Sequence, residues 1–257
     1  MCIIFFGYRS HPQYKLILAA NRDEFYERPT ENARFWKDYP YVLGGRDLEK
    51  MGTWMGINRR GEFSAITNYR DFSLIINEPK SRGSLVKNFL TETQAPRAYM
   101  EGIQENKHEY NPFNLLVGNI FCLYYYSNVE NIIKELTPGI YGLSNSFLDI
   151  PWPKVRRGKK KFTDIINSRK EVNPDALYDI LFDRWFPEDE ELPSTGVGLE
   201  LERTLSSIFI ESPNYGTRSS TVLLMDNNNH ITFIEKSLKD NDTKEWDEIK
   251  YEFNIVE

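Results

Sequence analysis

Two short runs near the N-terminus, Cys2-Ile3-Ile4-Phe5-Phe6-Gly7 and Leu16-Ile17-Leu18-Ala19-Ala20, are apolar at odd and even positions alike. A strand with one wet face alternates apolar and polar residues, so continuous apolar runs of this length read as strands covered on both faces. Pro12 and polar residues occupy the stretch between them, which is expected to turn the two runs into a hairpin. Strands buried on both sides need helices against one face and a second sheet against the other. The expected architecture is therefore α+β, a four-layer αββα sandwich of two stacked, mainly antiparallel sheets. A chain of 257 residues, 40% hydrophobic, can bury such a core. No repeat or low-complexity linker divides it, so residues 1–257 read as a single domain.

The remaining pattern supplies both kinds of element. Further strands are expected at 53–58 and 62–68 around the turn Arg59-Arg60-Gly61, at 114–117, 121–126 and 132–136, and at 219–225 and 231–235 around Asp226-Asn227-Asn228-Asn229, with a last one at 249–253. Helices are expected at 83–91, 95–105, 154–167, 174–184 and 199–207. For the fourth, Asn173 is a suitable N-cap, Pro174 fits the first helical position and Asp175 suits the positive end of the dipole.

Several function classes fall away. A net charge of −6 leaves no broad basic face to displace counterions from phosphate, so no nucleic-acid partner is expected. Cys2 and Cys122 form no CxxC pair, and His11, His108 and His230 are scattered, whereas zinc ligands come in closely spaced pairs. Neither a metal nor another cofactor is expected. The apolar start is too short for a signal-peptide core or a transmembrane segment, which leaves a cytoplasmic protein as the expectation.

The chemistry concentrates at the N-terminus. Removal of Met1 would leave a free α-amine on Cys2, with a reference pKa of about 7.7–8.0. That amine could take the thiol proton, placing nucleophile and base on one residue. Asn21-Arg22-Asp23-Glu24 follows the second apolar run, and hairpin pairing would bring Arg22 and Asp23 beside Cys2. There Asp23 could hold the ammonium form of the amine, and Arg22 could favour the thiolate. Asn68 and Asn145 end apolar segments, where amide groups could donate to an oxyanion. Arg218, in Gly216-Thr217-Arg218-Ser219-Ser220-Thr221, could bind a substrate carboxylate or pair with Asp23. Each also has a bland reading: a small buried residue for Cys2, turn formers for the polar motif and the asparagines, and an ordinary surface position for Arg218.

Together these residues resemble the NRDE family, also called the transport and Golgi organisation 2 family. The resemblance rests on the Met-Cys start, Asn21-Arg22-Asp23-Glu24, Gly52-Thr53-Trp54-Met55-Gly56, Thr67-Asn68-Tyr69-Arg70, Gly142-Leu143-Ser144-Asn145-Ser146, Pro151-Trp152-Pro153-Lys154-Val155 and Gly216-Thr217-Arg218-Ser219-Ser220-Thr221. That family is similar to the cysteine N-terminal-nucleophile (Ntn) hydrolases of the bile-salt hydrolase and penicillin V acylase type. The resemblance implies an αββα fold, hydrolysis of a C–N bond, and catalytic roles for Cys2, Arg22, Asp23, Asn68, Asn145 and Arg218. The spacing of Arg22 and Asp23 is shorter here than in that group.

Two functions follow as expectations. In the first, an amidohydrolase uses Cys2 on a small-molecule amide. In the second, a non-catalytic carrier or trafficking protein holds a lipid-like ligand, an acyl-CoA or haem in the same pocket. The aromatic residues, Trp36, Trp54 and Trp152 among them, motivate the second, although most suit a core. The basic cluster Arg156, Arg157, Lys159, Lys160 and Lys161 could meet an anionic ligand or form a solvated helix face. A scaffold with a decayed site is a third possibility that nothing in the residues demands.

Overall fold

The structure, a computed structural model, describes residues 2–168 and 170–256. In chain order the strands and helices are β1 (Cys2–Tyr8), β2 (Tyr14–Phe25), β3 (Thr30–Phe35), β4 (Val42–Asp47), β5 (Met55–Asn58), β6 (Phe63–Asn68), α1 (Arg82–Thr91), α2 (Pro96–Glu105), β7 (Phe113–Gly118), β8 (Leu123–Ser127), β9 (Ile132–Glu135), β10 (Gly139–Leu143), α3 (Pro153–Asn167), α4 (Pro174–Leu181), α5 (Leu199–Thr204), β11 (Tyr215–Asp226), β12 (His230–Asp240) and β13 (Glu245–Asn254). They fall into two compact units, Met1–Glu27 with Pro138–Glu252, and Arg28–Thr137 with Phe253–Glu257.

The first unit is built on a sheet of order β10-β1-β2-β11-β12-β13. The hairpin expected from the two apolar runs forms, with Phe5 opposite Ala19 and Cys2 opposite Arg22. Ile3, Phe5, Ile17, Ala19, Val222, Leu224 and Ile234 share one face of this sheet and pack against Val155, Phe162 and Ile166 of α3 and Leu177, Ile180 and Leu181 of α4. Ile4, Phe6, Leu18, Leu223 and Phe233, on the other face, are buried too. The continuous apolar reading of β1 and β2 thus corresponds to two buried faces. At α4 the expected cap is present: Asn173 Oδ1 accepts from the Asp175 N–H at 3.0 Å, with Pro174 at the first helical position.

The second unit carries an antiparallel sheet of order β3-β4-β5-β6-β7-β8-β9. Its core joins Val42, Leu115 and Val117 to Leu85, Val86, Phe89 and Leu90 of α1 and Met100 of α2. Trp36 belongs to this core and donates its indole N–H to the Gly44 carbonyl at 2.8 Å.

The structure adds three strands that local pattern does not announce. β3 is mostly polar, and β4 and β10 each hold two glycines, which read as turns. Partners distant in sequence make them strands: β10 pairs with β1, placing Leu143 opposite Ile4. Glycine is needed at position 44, where a Cβ would lie 2.7 Å from the Met55 carbonyl oxygen. Two expected helices are shorter than anticipated: α4 stops at Leu181 rather than 184, and α5 at Thr204 rather than 207. Residues 205–210 instead form a buried irregular segment.

One helix-to-sheet contact is tight enough to test. A Cβ at Gly158 of α3 would fall 2.1 Å from Cζ of Phe5, whose ring is fully buried. Gly158→Ala is expected to destabilise by about 1–3 kcal/mol through overpacking, against the roughly 1 kcal/mol that alanine gains over glycine in a helix. Adding Phe5→Leu should recover much of the loss. Urea unfolding of both variants reads the outcome, and a single variant more stable than the parent would contradict this packing.

Candidate active site

The end of the first sheet gathers most of the residues singled out in the sequence. Cys2 is the first residue of β1 and pairs with Arg22; Arg22 pairs with Ser219, and Asp23 with Thr217. Because side chains alternate across a strand, Cys2 and Arg22 lie on the face opposite the helices. Asn21 and Asp23 lie on the face that α3 and α4 cover. The Asp23 carboxylate and the Cys2 sulfur therefore project from opposite faces of the sheet.

Arg218 marks a break in the alternation of β11. It is the extra residue of a bulge in β11, without a Cα partner, between the Asp23–Thr217 and Arg22–Ser219 pairs. In a regular strand Thr217 and Ser219, two residues apart, would share a face. The extra residue instead turns Thr217 towards Asp23, and its hydroxyl donates to Asp23 Oδ1 at 2.8 Å while accepting from the Ile210 N–H at 2.9 Å. Tyr215 donates its hydroxyl to the Asp23 carbonyl at 3.0 Å. Arg218 itself is half-buried and donates from Nη1 to the Phe25 carbonyl at 3.1 Å.

Asn145 approaches from the other edge. It follows β10 and is buried. Ser144 Oγ lies 3.3 Å from both the Cys2 carbonyl oxygen and Asn145 Oδ1, so its single proton can serve either acceptor. The loop carrying both residues is closed by Asp149: its N–H donates to the Gly142 carbonyl at 2.9 Å, its Oδ1 accepts from the Gly142 N–H at 2.8 Å, and Lys159 pairs with the same carboxylate at 2.7 Å. Asn68 ends β6 in the other unit, opposite Phe113. Cys2, Arg22, Asp23, Asn145 and Arg218 are therefore brought to one sheet end, and Asn68 is carried by the second sheet.

Asn21, the first residue of the polar motif, is architectural. Its amide donates to the Leu181 carbonyl at 2.7 Å and the Ile208 carbonyl at 3.0 Å, and its Oδ1 accepts from Ser220 at 2.7 Å. The basic cluster on α3 also has partners of its own: Arg156 with Glu191, Arg157 and Lys161 with Asp183, and Lys159 with Asp149. Of the two readings offered for that cluster, these intramolecular pairs favour the helix face.

Electrostatics set the resting protonation of Cys2 and Asp23. Desolvation pushes the Cys2 thiol above its ordinary value, and the Asp23 carboxylate pushes the same way. Arg22 and a hydrogen bond from the Asp23 backbone favour the thiolate, as expected of Arg22, but burial outweighs them. At neutral pH the sulfur keeps its proton until a base removes it. Burial also raises the Asp23 carboxyl, against the opposing pull of Lys154, the Thr217 hydroxyl and Arg22. Thr217, Tyr215, Ser144 and Lys154 were not assigned roles from sequence. Thr217, Ser144 and Lys154 sit inside matched motifs, but nothing local distinguishes a buried lysine from the usual exposed one.

Because native Asp23 binds its proton more tightly than the unfolded chain does, the folded state holds more protons in that window. Stability contributed by this group falls as pH rises from about 4 through the native value. Asp23→Asn removes the slope, so the variant should gain Tm relative to the parent as pH is raised from about 4 to about 7. A Tm difference that stays flat or moves the other way would contradict the buried-carboxylate assignment.

Comparison with known proteins gives the family and the fold. The family described as Transport and Golgi organisation 2 matches residues 1–240. The chain is 38% identical to the human Transport and Golgi organization protein 2 homolog and 37% identical to the mouse homolog, covering 99% of both chains in each case. It is 32% identical to Transport and Golgi organization protein 2 of Drosophila melanogaster, over 93% of this chain and 92% of that one. In three dimensions it is similar to a mutant of conjugated bile acid hydrolase from Clostridium perfringens, with a TM-score of 0.54 at 10% identity, covering 100% of this chain and 98% of that one. It is also similar to the Caenorhabditis elegans ortholog of N-acylethanolamine-hydrolyzing acid amidase, with a TM-score of 0.50 at 9% identity over 87% and 92% of the two chains. These likenesses show the expected αββα fold of Ntn hydrolases. The family match and the full-length relatives together show that the chain belongs to the Transport and Golgi organisation 2 family.

Proposed function

We propose that the protein is an amidohydrolase of the Ntn type with Cys2 as nucleophile. The observation that carries this reading is the pairing of Cys2 with Arg22 at the end of a doubly buried hairpin, with the buried Asp23 carboxylate next in line. The likeness in fold to a conjugated bile acid hydrolase and to an N-acylethanolamine-hydrolyzing acid amidase lends support. The proposal requires removal of Met1, a residue that lies outside the described ones.

With Met1 removed, the neutral α-amine of Cys2 accepts the thiol proton as sulfur attacks the amide carbonyl carbon. The resulting oxyanion receives hydrogen bonds from the Asn145 amide. The resemblance assigns a second donor to Asn68. The ammonium returns its proton to the leaving nitrogen, the C–N bond breaks, and an acyl thioester remains on Cys2. Water, deprotonated by the same amine, then releases the acid. In this scheme Asp23 holds the ammonium, Arg22 favours negative charge at the sulfur, and Arg218 binds a substrate carboxylate.

A panel of acyl amides and a thiol-directed covalent probe test the proposal. The expected result is turnover of at least one amide, labelling at Cys2, and loss of both in Cys2→Ala. Asn145→Ala should lower turnover by about 10²–10³-fold while leaving Cys2 open to the probe, as for removal of one oxyanion donor. Binding of an acyl-CoA or haem that survives Cys2→Ala, with no amide cleaved, would contradict the enzyme reading and favour a carrier.

A further inference from the structure

The buried segment 205–210 ties together groups that are far apart in sequence. The Leu205 carbonyl accepts from Lys154 Nζ at 2.8 Å, the Ile208 carbonyl from Asn21 at 3.0 Å, and the Ile210 N–H donates to the Thr217 hydroxyl, which in turn donates to Asp23. All six residues of the segment are buried. Lys154 lies in the first turn of α3, on the side of the sheet that also carries Asn21 and Asp23, and it is only 2% exposed. Withdrawing an ammonium from water costs several kcal/mol, and an opposite charge nearby offsets that cost. The Leu205 carbonyl contributes part of that offset.

We propose that Lys154 is a positioning residue whose buried ammonium is the counter-charge of the Asp23 carboxylate and keeps it directed at the amine of Cys2. This rests on the amidohydrolase reading, because it gives Asp23 the task of holding that amine. The charged and titratable groups around Asp23 come from four elements: the Cys2 thiol and amine on β1, Arg22 on β2, Lys154 on α3, and Tyr215 on β11, where the Thr217 hydroxyl also bonds to the carboxylate. Tyr26 follows β2 and senses the Asp23 charge as well. Lys154 is among the groups that favour ionised Asp23. Another buried carboxylate, Glu202 on α5, accepts the Thr195 N–H at 2.8 Å and its hydroxyl at 2.6 Å.

The test is a titration of the Asp23 side-chain carboxyl by 13C NMR in protein labelled at aspartate, assigned by loss of the signal in Asp23→Asn. Lys154→Gln keeps a donor for the Leu205 carbonyl but removes the charge. It should move the Asp23 midpoint up by about one pH unit, roughly tenfold in proton affinity. Lys154→Arg should return it close to the parent value, and Glu202→Gln should leave it in place. If Lys154→Gln does not fold, Lys154→Met provides the same comparison. A parallel readout is the rate of Cys2 alkylation by iodoacetamide: Lys154→Gln added to Asp23→Asn should change that rate no further than Asp23→Asn alone.

An Asp23 midpoint unmoved by Lys154→Gln overturns the proposal, as does a midpoint that follows Glu202→Gln instead. A midpoint that moves as expected while no amide is cleaved leaves the ion pair standing and defeats the hydrolase reading alone. The two failures are therefore distinguishable.

Discussion

The site depends on strand register. The pairing of β1, β2 and β11 puts the sulfur of Cys2 on one face of the sheet and the carboxylate of Asp23 on the other. A slip of one residue would exchange those faces and drive Arg22 into the apolar layer formed by Phe5, Phe162 and Leu177. Two features oppose such a slip. Asn21 has its three main hydrogen-bonding capacities engaged by Leu181, Ile208 and Ser220, and the bulge at Arg218 changes parity once, where Thr217 must turn to meet Asp23. Burial on both faces of β1 and β2 gives that register its energy, at about 25 cal/mol for each Å² of apolar surface removed from water.

The same burial sets the chemical problem. A thiol in a desolvated position holds its proton, and the neighbouring carboxylate makes ionisation harder still. Nucleophilic attack then needs a base at hydrogen-bond reach, and the amine of Cys2 itself supplies one only if no residue precedes it. The Asp23 carboxyl is likewise lifted by burial, which makes it a cost to folding at neutral pH and fits a residue retained for chemistry rather than stability. The partly exposed cations of α3 are different in kind. They pair with Asp149, Asp183 and Glu191 near the surface, where such pairs contribute about 0–1 kcal/mol each.

Much of this was legible in the sequence, for physical reasons that also explain what was not. The hairpin of β1 and β2 could be read because double burial leaves an uninterrupted apolar run. The α4 cap could be read because Asn-Pro-Asp is a local signal. β3, β4 and β10 were missed because their identity comes from remote partners, and because glycines that permit close approach look like turns. Cys2, Arg22, Asp23, Asn145 and Arg218 were named from sequence, and they meet at one sheet end. The bulge that gives Arg218 its structural part, the Thr217 hydroxyl on Asp23 and the burial of Lys154 have no local pattern; each appears only when strands and helices far apart in the chain come together.

The central claim is that the free amine of Cys2 activates its own sulfur. Two matched preparations test it most directly, one with Cys2 as the first residue and one with Met1 retained, each treated at neutral pH with an activated acyl donor and analysed by peptide mass mapping. The account predicts an acyl thioester on Cys2 in the first preparation and none in the second. Equal acylation of both, or acylation of neither, would contradict it.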